Sequence, residues 1–236
     1  MSRKAKEIQQ RRQLILSVAQ SLLSEKGMHG LTMQAIAERT DYSKGTIYQH
    51  FGCKEEVLCQ LVLQCGYDLA QLMDGIIEQP ICLREKIAQL SVVFLSHSQR
   101  QPEITGVIAA VKSPQFQAKL SHDFQVKVNE ADDAVLSRIM VLFANSEEIQ
   151  PEQAKTAAFG WWAMKWGLQD VLANGWELGR YGFDEPEVYF LSSLHVFLDG
   201  LGIVDHKPSR DINYLKEKAK TILDQVVNKN KDKQND

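Results

Sequence analysis

The sequence predicts an all-α protein, a three-helix helix-turn-helix head followed by a larger helical body, and three observations predict it. Apolar residues recur at the helical period along nearly all of the 236 residues, and no convincing run of strand alternation interrupts them. Residues 31–54, LTMQAIAERTDYSKGTIYQHFGCK, read as a helix, a tight turn and a second short helix with a polar outer face. Basic charge collects at the start: residues 1–54 hold nine Lys/Arg against four acids, a net +5, which leaves −8 for the remainder of a chain whose net charge is −3. A basic head on an acidic body suits a polyanion at one end, although a surface helix that is merely basic gives the same count.

Each element follows from local signals. Helix one is expected over 8–26, with Leu14, Ile15, Val18, Ala19, Leu22 and Leu23 in one stripe and Gly27 as its left-handed stop. Thr32 is the N-cap of helix two, with Leu31 and Ile36 placed for a hydrophobic staple. Residues 41–43 form the turn, and Lys44 opens helix three. Helix four is expected over 54–79, with Glu55 and Glu56 complementing its dipole and Pro80 marking its end. Further helices are expected over 83–98, 103–112, 115–145, 151–174, 186–201 and 209–229, followed by the charged, apolar-poor tail 230–236. The domain division that follows is 1–56 for the helix-turn-helix, 57–229 for the helical body and 230–236 for a disordered tail.

Helix three carries the chemistry. At about 100° per residue, Ile47 and Phe51 fall within about 40° of each other and face a core, while Gly45 and Gln49 lie opposite. So short a helix needs a scaffold, and its polar face is then left for a partner. Gly45 lets the backbone approach a groove, and Thr46 offers a hydroxyl and a methyl. Gln49 points furthest out and can pair with adenine in bidentate fashion. Lys44 and Lys54 are long cations at helix starts. Arg3, Lys4 and Lys6 are expected to form a flexible arm, and Arg11 and Arg12 read as solvated helix charges. Two residues have a plainer reading open to them: Tyr48 as a half-buried packing residue, and His50 as a surface residue bonding locally.

These residues resemble the tetracycline-repressor (TetR) family of bacterial regulators. The likeness runs from about Leu14 to Leu58 and is strongest at SKGTIYQHF followed by KEEVL. Asp41, Tyr42 and Cys53 depart from the family pattern of Gly, a small aliphatic residue and Ser or Asp. Asp tolerates the left-handed backbone that the turn requires, and Cys53 makes a weaker cap. The resemblance implies that Thr32, Tyr42, Lys44, Tyr48, His50 and Lys54 grip phosphates and set register, with Ser43, Gly45, Thr46 and Gln49 also at the DNA. It further implies a C-terminal domain in which a small molecule loosens DNA binding, coupled through residues 102–113. Candidate pocket residues are Phe94, Phe116, Phe124, Trp161, Trp162 and Trp166, with His97, His122 and Asp170 as polar anchors. Aromatic residues at helical spacing are equally the signature of plain core.

Two segments, 157–172 (AAFGWWAMKWGLQDVL) and 188–201 (VYFLSSLHVFLDGL), are apolar on nearly every side and must be covered on both faces. Either both sit at the centre of one core, or a second copy of the chain covers them through Phe159, Met164, Val171, Tyr189, Leu194, Phe197 and Leu201. The expected function is a ligand-responsive transcriptional regulator, a repressor that binds a palindromic operator as a homodimer and is released by an apolar or aromatic molecule. An activator, or a helical adaptor that binds protein, are the alternatives.

Other classes find no support. The sequence holds no P-loop, GxSxG, HExxH or Gly-rich dinucleotide motif, and its six histidines stand singly, so no catalytic residue and no cofactor is assigned. Cys53, Cys59, Cys65 and Cys82 lack the paired spacing of a zinc site and read as reduced thiols; no metal is expected. The start, MSRKAKEIQQRR, is followed by no apolar stretch, and no apolar run approaches the roughly 20 residues of a membrane span. A cytoplasmic location is expected.

Overall fold

The computed structural model describes residues 2–173, 176–203 and 207–235, with side chains described for 2–172, 176–203 and 209–224. Eleven α-helices and two 3-10 turns make up the described residues, with no strand among them. The chain forms two compact units, residues 1–65 with 103–131, and residues 66–102 with 132–236. The expected tail 230–236 begins inside the last helix, and its side chains lie outside the described residues.

The first unit holds α1 (Arg3–Gly30), α2 (Met33–Thr40), α3 (Lys44–His50) and the first half of α4 (Lys54–Ile77), together with α6 (Pro102–Val111, from Glu103 on), α7 (Pro114–Gln117) and the start of α8 (His122–Ala144). Its core gathers Ile15, Ala19, Leu22 and Leu23 of the expected α1 stripe with Leu31, Ile36, Ile47, Phe51, Leu58, Ile104 and Phe124, while Val18 is half-buried and Leu14 is exposed, Leu16 lying inside in its stead. The expected flexible arm is instead helix: α1 begins at Arg3, with the Ser2 hydroxyl accepting from the Ala5 amide at 3.2 Å. Gly27 takes a positive φ of 64°, as expected of a stop, yet one further helical turn runs to Gly30, so it makes a kink and not an end.

Residues 115–145 do not form one helix. The spacing of Phe116, Leu120 and Phe124 imitates a continuous stripe, but 118–121 leaves the helix because its backbone has partners elsewhere. The Ser121 amide donates to the Glu56 carboxylate at 3.3 Å, and the Cys53 thiol donates to the Lys119 carbonyl at 3.5 Å. Lys119 Nζ also pairs with Glu55 at 3.0 Å.

The second unit contains α5 (Leu83–Arg100), the later parts of α4 and α8, α9 (Pro151–Ala173), α10 (Pro186–Gly200) and α11 (Ile212–Asn235). Its enclosed helix is α5, where Glu85, Gln89 and Ser91 are buried along with the apolar positions. The indole of Trp161 is fully buried, edge-on to Phe94 at 5.9 Å, and donates to the Ser91 hydroxyl at 2.8 Å. Gly160 admits the Phe197 ring so closely that a Cβ would lie 3.0 Å from it. Arg84, wholly buried, donates to Asp199 at 2.6 Å, to the Ile203 carbonyl at 2.5 Å and to His195 Nδ1 at 3.2 Å, while His195 Nε2 meets the Ser209 carbonyl at 2.8 Å.

The two all-round apolar segments fill this core with one face and leave the other open. Phe159 is 67% and Val196 72% exposed, and Tyr189 is also exposed. Met164, Val171, Phe197 and Leu201 are half-buried, whereas Leu194 is completely enclosed and has no free surface. No helix among the described residues is long and apolar enough to cross a membrane.

Candidate nucleic-acid interface

The outward face of α3 is built by capping. Thr32 Oγ1 accepts from the Ala35 amide at 3.1 Å and starts α2, and the Thr40 hydroxyl donates back to the Ile36 carbonyl at 2.8 Å near its end. Asp41 supplies the left-handed turn residue, at φ 57° and ψ 25°. Ser43 then caps α3, its Oγ accepting from the Thr46 amide at 3.1 Å and lying 2.9 Å from the Thr46 hydroxyl. Each such cap is worth about 1 kcal/mol, a large share for a seven-residue helix.

Ile47 and Phe51 are buried as the wheel requires, and Lys44, Gly45, Tyr48 and Gln49 are exposed. Tyr48 is 52% exposed, so it is not a half-buried packing residue. Tyr42 differs: it is half-buried and packs against the first unit's core, so its ring is anchored. A cleft of about 400 Å³ runs between the start of α2, the side of α3 and the start of α4, bringing together Thr32, Gln34, Lys44, Tyr48, Cys53 and Lys54. Four of the expected phosphate-gripping residues thus share one concavity. His50 stands at the far end of α3, half-buried; burial, then Arg12, then Arg11 lower its pKa and favour the neutral ring. A neutral imidazole grips a phosphate by donating one hydrogen bond, without a full charge.

Arg12 corrects the expectation of a solvated charge. Its guanidinium lies 4.2 Å over the Phe51 ring and donates to the His50 carbonyl at 3.1 Å and to Gln60 Oε1 at 2.7 Å. At the start of α4, Glu56 accepts from the Gly52 amide at 2.7 Å and makes good the weak cap of Cys53. No short sequence pattern reveals either partner, because 38 and 48 residues separate Arg12 from His50 and Gln60.

The expected effector residues are divided between the units. Phe116, His122 and Phe124 belong to the first, where Phe124 is core, 6.5 Å from the Phe51 ring, and His122 is exposed. Phe94, His97, Trp161, Trp162, Trp166 and Asp170 belong to the second. Phe94 and Trp161 are enclosed, Trp162 and Trp166 stack half-buried at 6.0 Å, and Asp170 is exposed. His97 is buried, which pulls its pKa down to about 4. Lys165, unnoticed in the sequence, is buried over the Phe94 ring at 4.3 Å.

A capped helix presented polar-side-out from a three-helix scaffold defines a helix-turn-helix DNA-binding protein. Residues 15–61 match the family model described as bacterial regulatory proteins, tetR family. The regulator UidR of Escherichia coli is 26% identical over 153 residues, 57% of this chain and 78% of its own length. The repressor AcnR of Corynebacterium efficiens is 29% identical over 136 residues, 54% of this chain and 64% of its own. Among solved structures, a TetR/AcrR-family regulator from Thermobifida fusca aligns with TM-score 0.60 and 20% identity, covering 81% of this chain and 98% of that one. FadR from Bacillus subtilis, in complex with stearoyl-CoA, aligns with TM-score 0.55 and 17% identity over 80% and 98%. These structural likenesses concern the fold. Residues 15–61 thus carry a tetR-family helix-turn-helix, and the comparisons support a TetR-family transcriptional regulator.

Proposed function

We propose that this regulator is a ligand-responsive repressor that binds a palindromic operator as a homodimer. Residues 1–56 carry the DNA contacts, and 57–229 the effector and partner functions. The observation that carries the reading is the single cleft lined by Thr32, Lys44, Tyr48 and Lys54 beside the exposed Gly45 and Gln49. Cations and hydroxyls on two helix starts suit a phosphate backbone, and Gln49 between them suits a base edge. Two heads on a twofold axis fit half-sites roughly 34–36 Å apart or a small multiple of that.

The exposed Phe159, Tyr189 and Val196 on α9 and α10 support pairing of two copies through these helices. An effector acts by favouring a head spacing that does not fit DNA. The half-buried Trp162–Trp166 stack in the second unit suits an apolar or aromatic one. The repressor named among the relatives supports repression over activation, and the cell interior is the place of action.

Gln49→Ala and Lys54→Ala separate the roles. The first relaxes preference at one symmetric base-pair position, costing about 1–3 kcal/mol there. The second weakens binding to all duplexes alike and reduces the salt slope by about one. Competition gel shifts over a salt series measure both, and identical behaviour of the two variants contradicts the assignment.

A further inference from the structure

We propose that Arg12 is a positioning residue for DNA reading, which fixes the C-terminal end of α3 and so aims Tyr48 and Gln49; this rests on the reading of α3 as the DNA-facing helix. A seven-residue helix has little stability of its own, and its last four carbonyls lack partners within the helix. Ser43 secures the N-terminal end. At the other end Arg12 gives one donor to the His50 carbonyl at 3.1 Å, places its plane 4.2 Å over the Phe51 ring, and gives a second donor to Gln60 Oε1 at 2.7 Å. One rigid, planar group therefore ties α1, the end of α3 and the start of α4 together.

Rotation of α3 about its axis, or a slide along it, breaks these contacts at once. Gln49 adjoins His50, so freedom at that carbonyl becomes freedom at the base-reading side chain. Two of the guanidinium's five donors are engaged inward, and the Glu56 and Asp123 carboxylates attract its charge. Arg12 is thereby assigned to act on DNA through α3. A lysine retains the charge but lacks the fork that serves two acceptors while stacking flat.

The test compares the full-length wild type with Arg12→Met and Arg12→Lys, on a duplex selected by the wild type and on the same duplex altered at the base pair read by Gln49. Arg12→Met is expected to lower affinity for the selected duplex about tenfold to a hundredfold. It is expected to narrow the preference over the altered duplex, with the slope of log affinity against log salt unchanged. Arg12→Lys is expected to stay within about threefold of Arg12→Met, because the fork is missing. Should Arg12→Met not stay folded, Gln60→Leu removes one acceptor alone and is expected to show the same pattern, smaller, at an unchanged slope.

A slope reduced by about one identifies a direct phosphate contact and overturns the proposal. So does full recovery in Arg12→Lys, or a Gln60→Leu variant that binds and discriminates like the wild type. A wild type without preference among duplexes sinks the reading of α3 and this inference together. A discriminating wild type beside an equally discriminating Arg12→Met sinks this inference alone.

Discussion

The first unit and the second spend their polar residues differently. In the first, Thr32, Ser43 and Glu56 each hold a backbone amide within four residues and so aim a surface. In the second, Arg84 bonds to His195 and Ser91 to Trp161, all four buried. A reading surface demands direction, which caps and turns supply in increments of about 1 kcal/mol. A core demands bulk, which burial of large apolar groups supplies at several kcal/mol per side chain. Damage to the first unit should therefore cost recognition before stability, and damage to the second the reverse.

The sharpest break is Trp161→Ala. It empties the centre of the second unit and removes the indole N–H that the Ser91 hydroxyl accepts, with an expected loss of about 3–5 kcal/mol. Urea unfolding followed by far-ultraviolet dichroism measures it; a loss under about 1 kcal/mol would mean that the site collapses freely.

Acid comes next. His97 has a folded pKa of about 4, below its ordinary 6.5, because burial disfavours the charged ring. The unfolded chain therefore binds the extra proton first. The contribution is fully present above pH 6.5, is lost as pH falls, and levels off below about 4, with a maximum of about 3 kcal/mol. A His97→Asn variant should show a flatter decline of the urea midpoint between pH 7 and 5. Parallel declines in the two proteins would remove His97 from the account.

Ser43→Ala is the smallest of the three in stability, about 1 kcal/mol, and the most telling for the comparison. It frees the N-terminal end of α3, so operator affinity should fall by more than the change in folding stability explains. Gel shift and thermal unfolding on the same preparation decide this. An affinity loss no larger than the stability loss would erase the distinction between aim and bulk.

What could be read in the sequence tracks the reach of each interaction. Ile47 and Phe51 inward, Gly45 and Gln49 outward, the Thr32 cap and the left-handed Asp41 were all legible, since each depends on neighbours within four residues. The helical character of nearly every segment was legible for the same reason. Arg12 reads as solvated from its neighbours because its partners stand 38 and 48 residues away. The break at 118–121 was hidden by the Phe116, Leu120 and Phe124 spacing, since the groups that open it, Glu56 and Cys53, belong to α4. The enclosure of α5 and the Gly160–Phe197 approach are likewise products of packing, which local periodicity does not encode. The effector residues fared worst: aromatic spacing alone does not separate an enclosed Trp161 from a half-buried Trp162.

One measurement bears most directly on the central claim that the outward side of α3 reads duplex DNA. The full-length protein is used to select bound duplexes from a random pool, and the winners are footprinted at moderate salt. The account predicts a palindrome with half-sites about one helical turn apart or a small multiple of that, protected symmetrically. It also predicts that selection by Gln49→Ala relaxes the consensus at one symmetric pair of positions. A pool that returns no consensus, or a consensus that Gln49→Ala leaves intact, would contradict it.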